Sequence, residues 1–306
     1  MIKVVCLNCR LKLKDKLFVT NGYTFFTCKN CGLIQIYPIP QKSKREQFYP
    51  YKSSLNHLRL KNPYYKFFSR FPFVRILHSK YQKWITSARH KYIIKLKKGG
   101  RLLDIGCSEG DFLQEFDAKK WQLVGVDINK TAAKIAQSKL GNAEIYARPI
   151  KAVKLPKKTF DIITLWHVFE HLDRPKSVLK EIHSLLDPNG YVIIEVPNGN
   201  SLYRRLFGPN WQLLIAPEHI CFWSKRTITD LFQKLGFSIK QVSYSGVFSF
   251  SASSSIGNLL RSRGINTTLS ILLATFILPL AIFVNFFSFS LRENMLIVAK
   301  KTWKKD

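Results

Sequence analysis

The chain has 306 residues and a formal net charge of +30 at pH 7. Hydrophobic residues make up 46% and charged residues 22%, which excludes intrinsic disorder and leaves one large domain or two smaller ones. The charge is uneven: residues 1–98 carry a net +20, whereas 99–246 and 247–306 carry +5 each. The basic third favours nucleic acid, anionic lipid or a phosphorylated substrate as a partner, although lysine-rich genomic composition would also raise the charge.

Residues 1–40 are expected to form a small leader that contains two C-x-x-C pairs, Cys6/Cys9 and Cys28/Cys31. This spacing is typical of a zinc ribbon, in which four thiolates bind a structural Zn²⁺. Disulfides and redox pairs are the alternatives. The chain shows no signal peptide, so we expect a reducing, cytoplasmic compartment, which disfavours disulfides.

Residues 41–98 form a basic and aromatic segment. Within it, apolar residues recur at helical spacing over 74–96, with Lys and Arg on the other face. The apolar positions are Ile76, Leu77, Tyr81, Trp84, Ile85, Ala88, Tyr92 and Ile93. The pattern predicts either a helix packed on the next domain or a basic amphipathic surface for an anionic membrane or phosphate.

Residues 99–306 alternate between strand and helix patterns. The predicted strands are RLLDIG, WQLVGVDI, AEIYA, FDIITLW, YVIIEV, FSIKQVSY and NMLIVAKK, and the predicted helices are 111–119, 131–140, 176–186 and 227–235. Regular alternation implies right-handed crossovers. We therefore expect an α/β domain with a mainly parallel, seven-stranded sheet covered by helices on both faces.

A glycine-containing loop, "LLDIGCSEGDFL", joins the first strand of this domain to the following helix. Gly106 and Gly110 would let the backbone approach a ligand at the carboxyl edge of the sheet. The run lacks the G-x-G-x-x-G of a dinucleotide site, and Asp104 before the first glycine suits a cationic amino group better than a diphosphate. Asp127 ends the second strand, where a carboxylate can accept hydrogen bonds from both ribose hydroxyls.

These residues resemble the class I S-adenosylmethionine (SAM)-dependent methyltransferases, whose first motif is (D/E)-x-G-x-G-x-G, with Ser108 here at the middle glycine. The resemblance continues through "GVDIN", "FDIITLWHVFEHLDRP", "LLDPNGYVIIEVPN" and "PEHICFWSKRTITDLFQKLGF" within 100–240. It implies a Rossmann-like methyltransferase sheet. "CKNCGLIQIYPIP" followed by "FYPYK" is similar to the cysteine-rich leader of bacterial methyltransferases from polysaccharide and glycan gene clusters.

The resemblance also implies the cofactor contacts. They are Asp104 with the methionine portion of SAM, Gly106, Ser108 and Gly110 beneath it, Asp127 with the ribose, Ile128 against the adenine and His167 nearest the sulfonium. Arg148 stands where a small or acidic residue normally meets the adenine edge. Because Arg148 cannot accept a hydrogen bond from the exocyclic amine, that contact would fall to a backbone carbonyl.

The stretch "WHVFEH" after the fourth strand holds the candidate catalytic residues. Glu170 or His171 could take the acceptor proton, and His219 in "APEHICFW" could line the acceptor pocket. Quinone-precursor methyltransferases use a similar cluster for a divalent metal. The plain alternative is that these residues only build the loop. The aromatic residues expected to form a lid near His219 are Phe207, Trp211, Phe222 and Trp223.

Residues 264–291 contain no charged residue, and 269–289 alone would span about 31 Å as a helix. In the resembled family the last two strands are antiparallel neighbours, which conflicts with a single membrane crossing. Pro279 would break the run. We therefore expect 247–291 to be an apolar helical insertion that enters one leaflet, packs on a partner or caps the sheet. This favours a peripheral or monotopic protein at the inner face of the cytoplasmic membrane.

The sequence as a whole predicts a SAM-dependent methyltransferase with a structural zinc site. The expected reaction is O-methylation of a sugar or lipid-linked glycan in cell-surface polysaccharide biosynthesis, next to an anionic membrane surface. An RNA methyltransferase is the alternative enzyme, disfavoured because no N-P-P-Y-type tetrapeptide follows the fourth strand. A non-catalytic membrane-associated scaffold with the same fold is the alternative outside the enzymes.

Overall fold

The computed structural model describes residues 4–41, 63–245, 250–276 and 292–302. Its strands are β1 (Asp15–Thr20), β2 (Tyr23–Thr27), β3 (Ile34–Tyr37), β4 (Gly100–Ile105), β5 (Trp121–Val126), β6 (Glu144–Tyr146), β7 (Phe160–Trp166), β8 (Leu186–Pro197), β9 (Cys221–Phe222), β10 (Phe237–Ser245) and β11 (Asn294–Lys301). Its helices are α1 (Pro63–Phe68), α2 (Pro72–Leu96), α3 (Lys130–Leu140), α4 (Pro175–Leu185), α5 (Leu202–Phe207), α6 (Lys225–Lys234), α7 (Phe250–Ser262) and α8 (Thr267–Phe276).

The larger sheet has seven strands in the order β10-β11-β8-β7-β4-β5-β6. The five strands from β8 to β6 pair in parallel, and β11 runs antiparallel to both β8 and β10. Central strands such as β7 are nearly continuous apolar runs because helices bury both faces of the sheet. The predicted α/β fold, its seven strands and the antiparallel last pair are confirmed.

The smaller sheet has the order β1-β2-β3-β9, so its fourth strand comes from far along the chain. Gln35 of β3 pairs with Cys221 of β9, and the Ile36 N–H donates to the Ile220 carbonyl at 3.1 Å. The Thr227 hydroxyl also donates to the Cys31 carbonyl at 2.7 Å. The leader therefore shares a sheet and a hydrophobic core with the segment that carries His219.

Helix α2 begins with a proline at a first-turn position, where a missing N–H costs nothing, and continues for 25 residues. The sequence predicts one apolar face on this helix. In the structure, part of that face packs against the protein and the rest faces solvent. Ile93 is fully buried against the larger sheet, whereas Ile76, Leu77 and Trp84 are exposed. Arg89 of α2 reaches the carboxyl edge of that sheet, where the candidate site lies.

The predicted helix at 111–119 is wrong. Only a short 3₁₀ turn, Leu113–Glu115, forms there. Phe112 and Phe116 pack edge to face in the core, and the Asp117 side chain accepts the Lys119 N–H. The aspartate thus closes a turn that competes with continued helix, and the chain enters β5 at once.

Helices α7 and α8 lie between β10 and β11, where the apolar insertion was expected. The Gln212 N–H donates to the Ser255 hydroxyl of α7 at 2.9 Å, which places α7 against the segment leading to His219. Pro279 and the rest of 277–291 lie outside the described residues. Within the described part of the chain, we find no helix both long and apolar enough to traverse a membrane.

Candidate active site

The loop after β4 needs glycine at two positions. Gly106 and Gly110 have φ values of +82° and +78°, a region that side chains rarely adopt. A Cβ on Gly106 would lie 2.3 Å from Val168 Cγ2, and one on Gly110 would lie 2.7 Å from Leu140 Cδ1. The loop therefore packs tightly on the residues behind it, with its backbone at the carboxyl edge of the sheet.

Asp127 fixes the shape of this loop from the end of β5. One carboxylate oxygen accepts the Ser108 N–H at 2.8 Å, and the other accepts the Asn129 N–H at 2.7 Å. Ser108 has a φ of +49°, so this hydrogen bond stabilises a backbone conformation that is unusual for serine. Ile128 is exposed beside Asp127. Its apolar side chain thus lies free at the edge where the sequence predicts the adenine.

Asp104 is buried at the end of β4 and accepts a hydrogen bond from the Thr164 hydroxyl at 2.7 Å. Burial raises the pKa of Asp104 to about 7, although Thr164 and the Arg89 charge partly oppose the rise. A carboxylate in this position gains from a cationic ligand group that compensates its lost hydration. The ammonium of SAM fits that requirement.

His167 follows β7 in a left-handed backbone conformation with φ of +56°. Its N–H donates to the Glu195 carbonyl at 2.9 Å, and its Nδ1 lies 3.3 Å from Oε1 of Glu170. Burial opposes ionisation of Glu170, but the hydrogen bond from His167 and the nearby histidines outweigh it and lower its pKa to about 2. Glu170 is therefore a buried carboxylate and not a proton acceptor at neutral pH.

His171 and His219 lie side by side, with ring centroids 4.7 Å apart. Nδ1 of His171 is 2.8 Å from the Glu218 carbonyl, and Nδ1 of His219 is 2.7 Å from the Leu213 carbonyl. Because a carbonyl only accepts, Nδ1 of each ring carries a proton, and Nε2 is the ring atom that could bind a metal or an acceptor group. Burial and the neighbouring His171 lower the pKa of His219 to about 3, so this ring is neutral at physiological pH.

Glu170, His171 and His219 converge as a possible metal site. Their ligand atoms lie within 4.8 Å of one another, and Oε2 of Glu170 is buried without a hydrogen-bond partner. Carboxylate oxygen and imidazole nitrogen are ligands that many divalent cations accept. The three predicted catalytic residues are thus brought together, and the group could hold either a divalent cation or a polar acceptor group.

The four leader cysteines are also brought together, as free thiols in two matching turns. The Cys6 N–H donates to Leu11 and the Cys28 N–H to Leu33, while Arg10 and Gly32 both have positive φ. All four Sγ atoms lie within 4.8 Å of one another. A hydrogen bond from the Cys6 thiol lowers the pKa of Cys31 to about 5, which favours a thiolate. The donor set is compatible with a tetrahedral zinc site.

Two details of the sequence prediction change in the structure. The expected aromatic lid is largely core, since Trp211, Phe222 and Trp223 are almost completely buried. Thr164, Arg89 and Glu195 were missed as residues of the site. The sequence could have indicated Thr164, because it is the only uncharged polar residue in the apolar run of β7. Nothing in the sequence distinguishes Arg89 from the other Lys and Arg residues of α2.

Solved structures and curated proteins resemble part of this chain. A SAM-dependent methyltransferase from Archaeoglobus fulgidus is 24% identical with a TM-score of 0.49, over 71% of this chain and 93% of that one. An uncharacterized Methanocaldococcus jannaschii protein is 31% identical over 165 residues, 51% of this chain and 77% of that protein. A ubiquinone biosynthesis O-methyltransferase from Leptothrix cholodnii is 25% identical over 44% of this chain.

The chain spans 65% of the length of that Leptothrix enzyme and 54% of its counterpart from Acinetobacter baylyi. The model of the methyltransferase domain family matches residues 73–242, more than half of the chain. That range contains the loop from Asp104 to Gly110, Asp127 and the Glu170–His171 pair. The chain therefore belongs to the methyltransferase domain family, and residues 73–242 form a SAM-dependent methyltransferase domain.

Proposed function

We propose that the protein transfers the methyl group of SAM to a hydroxyl group of a sugar or lipid-linked glycan. The proposal rests on His171 and His219, whose rings lie side by side next to the buried Glu170 carboxylate. A sugar hydroxyl must lose its proton as it attacks the methyl group, and a positioned imidazole is suited to accept that proton. His171 is the assigned base because the low pKa of His219 makes it a weaker one.

The cofactor supplies an activated methyl group on a sulfonium, so the chain has to bind, orient and desolvate the reactants. Asp104 would hold the ammonium of SAM, Asp127 its ribose, and the loop from Gly106 to Gly110 would support it. The contact between His167 and Glu170 fixes the position of the His167 side chain in the site. If the cluster instead holds a divalent cation, His171 would be a ligand and not the base, and the cation would lower the pKa of a coordinated hydroxyl. The sequence similarity of the leader to glycan-cluster methyltransferases supports the acceptor class.

Zinc in the leader is part of the same proposal. Cys6, Cys9, Cys28 and Cys31 would hold Zn²⁺, and the metal would stabilise the small sheet to which β9 belongs. Because β9 starts two residues after His219, the zinc site supports the geometry of the acceptor side. A leader that folds around zinc would therefore help to position His219 and would take no part in the methyl transfer.

A phenolic acceptor is the second candidate, favoured by the similarity to ubiquinone biosynthesis O-methyltransferases. The test supplies radiolabelled methyl SAM to the full chain with a glycolipid extract, a catechol and bulk RNA in parallel. We expect label in the glycolipid fraction and a drop of about 10²–10⁴-fold in kcat for His171→Asn, with SAM affinity unchanged. Label in the catechol or the RNA, with none in glycolipid, would overturn the glycan acceptor.

A further inference from the structure

An apolar surface on the outside of the protein includes exposed residues of α2 and of α8. Its members on α2 are Phe73, Ile76, Leu77 and Trp84, and its members on α8 are Leu269, Leu272, Leu273 and Phe276. Trp84 is 65% exposed and Phe276 is 87% exposed. We call this the α2–α8 surface. Clusters of large apolar side chains on the outside of a protein mark an interaction site, whereas single ones are ordinary.

Helix α8 carries apolar residues on its outer side as well as on its buried side, where Ile271 and Ala274 lie. Ser270 is fully buried and accepts a hydrogen bond from Arg261, while the leucines on the opposite side face outward. Leu272 is 58% exposed. A helix that packs against a core in water normally has a polar outer side. The outward leucines of α8 therefore indicate an apolar partner for this side.

An apolar groove joins the two helices. Phe67, Phe68, Phe71 and Phe73 line one side, and Leu272 and Phe276 line the other. Ile271 and Ala274 close its floor by packing against Phe67 and Phe68. The start of α2 and the end of α8 thus share one groove, from which the other exposed apolar residues of α2 continue along the helix.

The charge around this surface identifies what covers it. Residues 63–98 contain ten Lys or Arg and no Asp or Glu. On α2, Lys80 lies within the apolar stripe, between Leu77 and Trp84, and Lys91 follows two turns after Trp84. Long cationic side chains can keep their ends at a headgroup layer while their stems cover apolar surface. Tryptophan likewise prefers the boundary between water and lipid.

We propose that the α2–α8 surface docks on an anionic lipid bilayer, with the apolar side chains of α2 and α8 in the outer part of one leaflet. Helix α2 reaches the candidate active site directly, and α8 is connected to it through α7. Arg89 of α2 contacts Glu195 at the sheet edge, and Ser255 of α7, which packs against α8, accepts a hydrogen bond from the segment leading to His219. Docking therefore brings the part of the protein that carries His219, where we expect the acceptor to bind, to the membrane.

The residues of the α2–α8 surface lie outside the loop from Asp104 to Gly110. Membrane binding and SAM binding can therefore be measured independently. The full chain is sedimented with vesicles of phosphatidylcholine containing about 30% phosphatidylglycerol, and with pure phosphatidylcholine vesicles. We expect binding to the anionic vesicles, weakened at least about tenfold by the double variant Leu272→Asp/Phe276→Asp. Val19→Asp changes an equally exposed apolar residue, 64% exposed on β1, and should leave vesicle binding unchanged.

Two further measurements separate insertion from charge alone. Vesicles with brominated acyl chains should quench tryptophan fluorescence of the wild type, and Trp84→Phe should remove most of that quenching. Lys80→Glu/Lys83→Glu should weaken binding more than the same change of charge at Lys225 and Lys234 on α6. All variants must keep wild-type SAM affinity, which shows that they fold.

The proposal is overturned if the wild type stays in the supernatant with anionic vesicles at low salt. It is also overturned if Leu272→Asp/Phe276→Asp binds like the wild type, or if quenching does not depend on Trp84. A stable oligomer in solution that Leu272→Asp/Phe276→Asp dissociates, without vesicle binding, would assign the surface to a protein interface instead.

Discussion

Arg89 and Glu195 form an ion pair that joins the helix before the sheet to the carboxyl end of β8. Nε and Nη2 of Arg89 lie 3.1 and 2.6 Å from Oε2 of Glu195, and the guanidinium stacks on Trp166 with 4.4 Å to the ring centroid. The Glu195 carbonyl also accepts the N–H of His167. The position of α2 is thus coupled to the backbone of a residue predicted to contact the cofactor.

Replacing Arg89 by Met should destabilise the protein by about 2 kcal/mol, because the partly buried Glu195 carboxylate loses its counter-charge. The same change in a Glu195→Gln background should cost much less, since no uncompensated carboxylate remains. Urea unfolding of the four proteins measures this difference. Equal costs in both backgrounds would show that the ion pair contributes no coupling energy.

Gly106→Ala should abolish SAM binding and lower stability. The added Cβ would collide with Val168, and alanine would also be strained at the positive φ of this position. Gly22→Ala is the matched control, with a similar φ of +77° but no atom within 4 Å of the new Cβ. It should cost about 1 kcal/mol through backbone strain and leave SAM affinity intact. Thermal unfolding and SAM titration check both variants. Intact SAM binding in Gly106→Ala would contradict the close packing of the loop.

SAM affinity should rise with pH through about 7. Burial raises the pKa of Asp104 to about 7, so below that pH the carboxyl group is increasingly neutral and cannot pair with the ammonium of SAM. Above about pH 8 it is ionised and the affinity should level off. Below pH 7 we expect up to about a tenfold loss per pH unit. Dissociation constants from pH 5.5 to 8.5 test this, and Asp104→Asn should remove the dependence.

His219→Ala should weaken the binding of a divalent cation such as Mn²⁺ by at least about tenfold, because it removes one of three converging ligands. His183→Ala changes a histidine on α4 outside this group and is the control. Calorimetry with Mn²⁺ measures both. If His219→Ala and wild type bind Mn²⁺ equally, or neither binds, the Glu170–His171–His219 group acts without a metal.

Cys28→Ser should lose about one equivalent of zinc and lower the midpoint of thermal unfolding. Cys221→Ser is the control, since this buried cysteine on β9 lies outside the four-cysteine group. Metal analysis of the purified proteins gives the zinc content. Zinc-free wild type, or Cys28→Ser with full zinc content, would contradict the proposed leader site.

Local signals in the sequence predicted the body of the fold. Buried parallel strands such as β7 are apolar throughout, and helix α3 begins at the capping residue Asn129, whose side chain accepts two backbone N–H groups. The loop from Asp104 to Gly110 could be located because its backbone conformation requires glycine at positions 106 and 110, and these glycines are visible in the sequence. Such features depend on residues close together in the chain.

The remaining features depend on contacts between distant residues. Nothing near Gln35 predicts that β3 pairs with β9, almost two hundred residues later. The split of α2 into a buried and an exposed apolar side also escaped the sequence pattern, because Ile76 and Ile93 contribute equally to helical periodicity. The helix predicted at 111–119 failed where Asp117 and the core aromatic residues imposed a turn.

Calorimetric titration of the full chain with SAM tests whether this edge of the sheet binds the cofactor. We expect one binding event per chain, lost in Asp104→Ala and retained in Asp111→Ala, which changes an exposed carboxylate just after the loop from Asp104 to Gly110. No heat of binding with the wild type, or equal affinity in Asp104→Ala, would contradict a SAM-dependent methyltransferase site at this edge of the sheet.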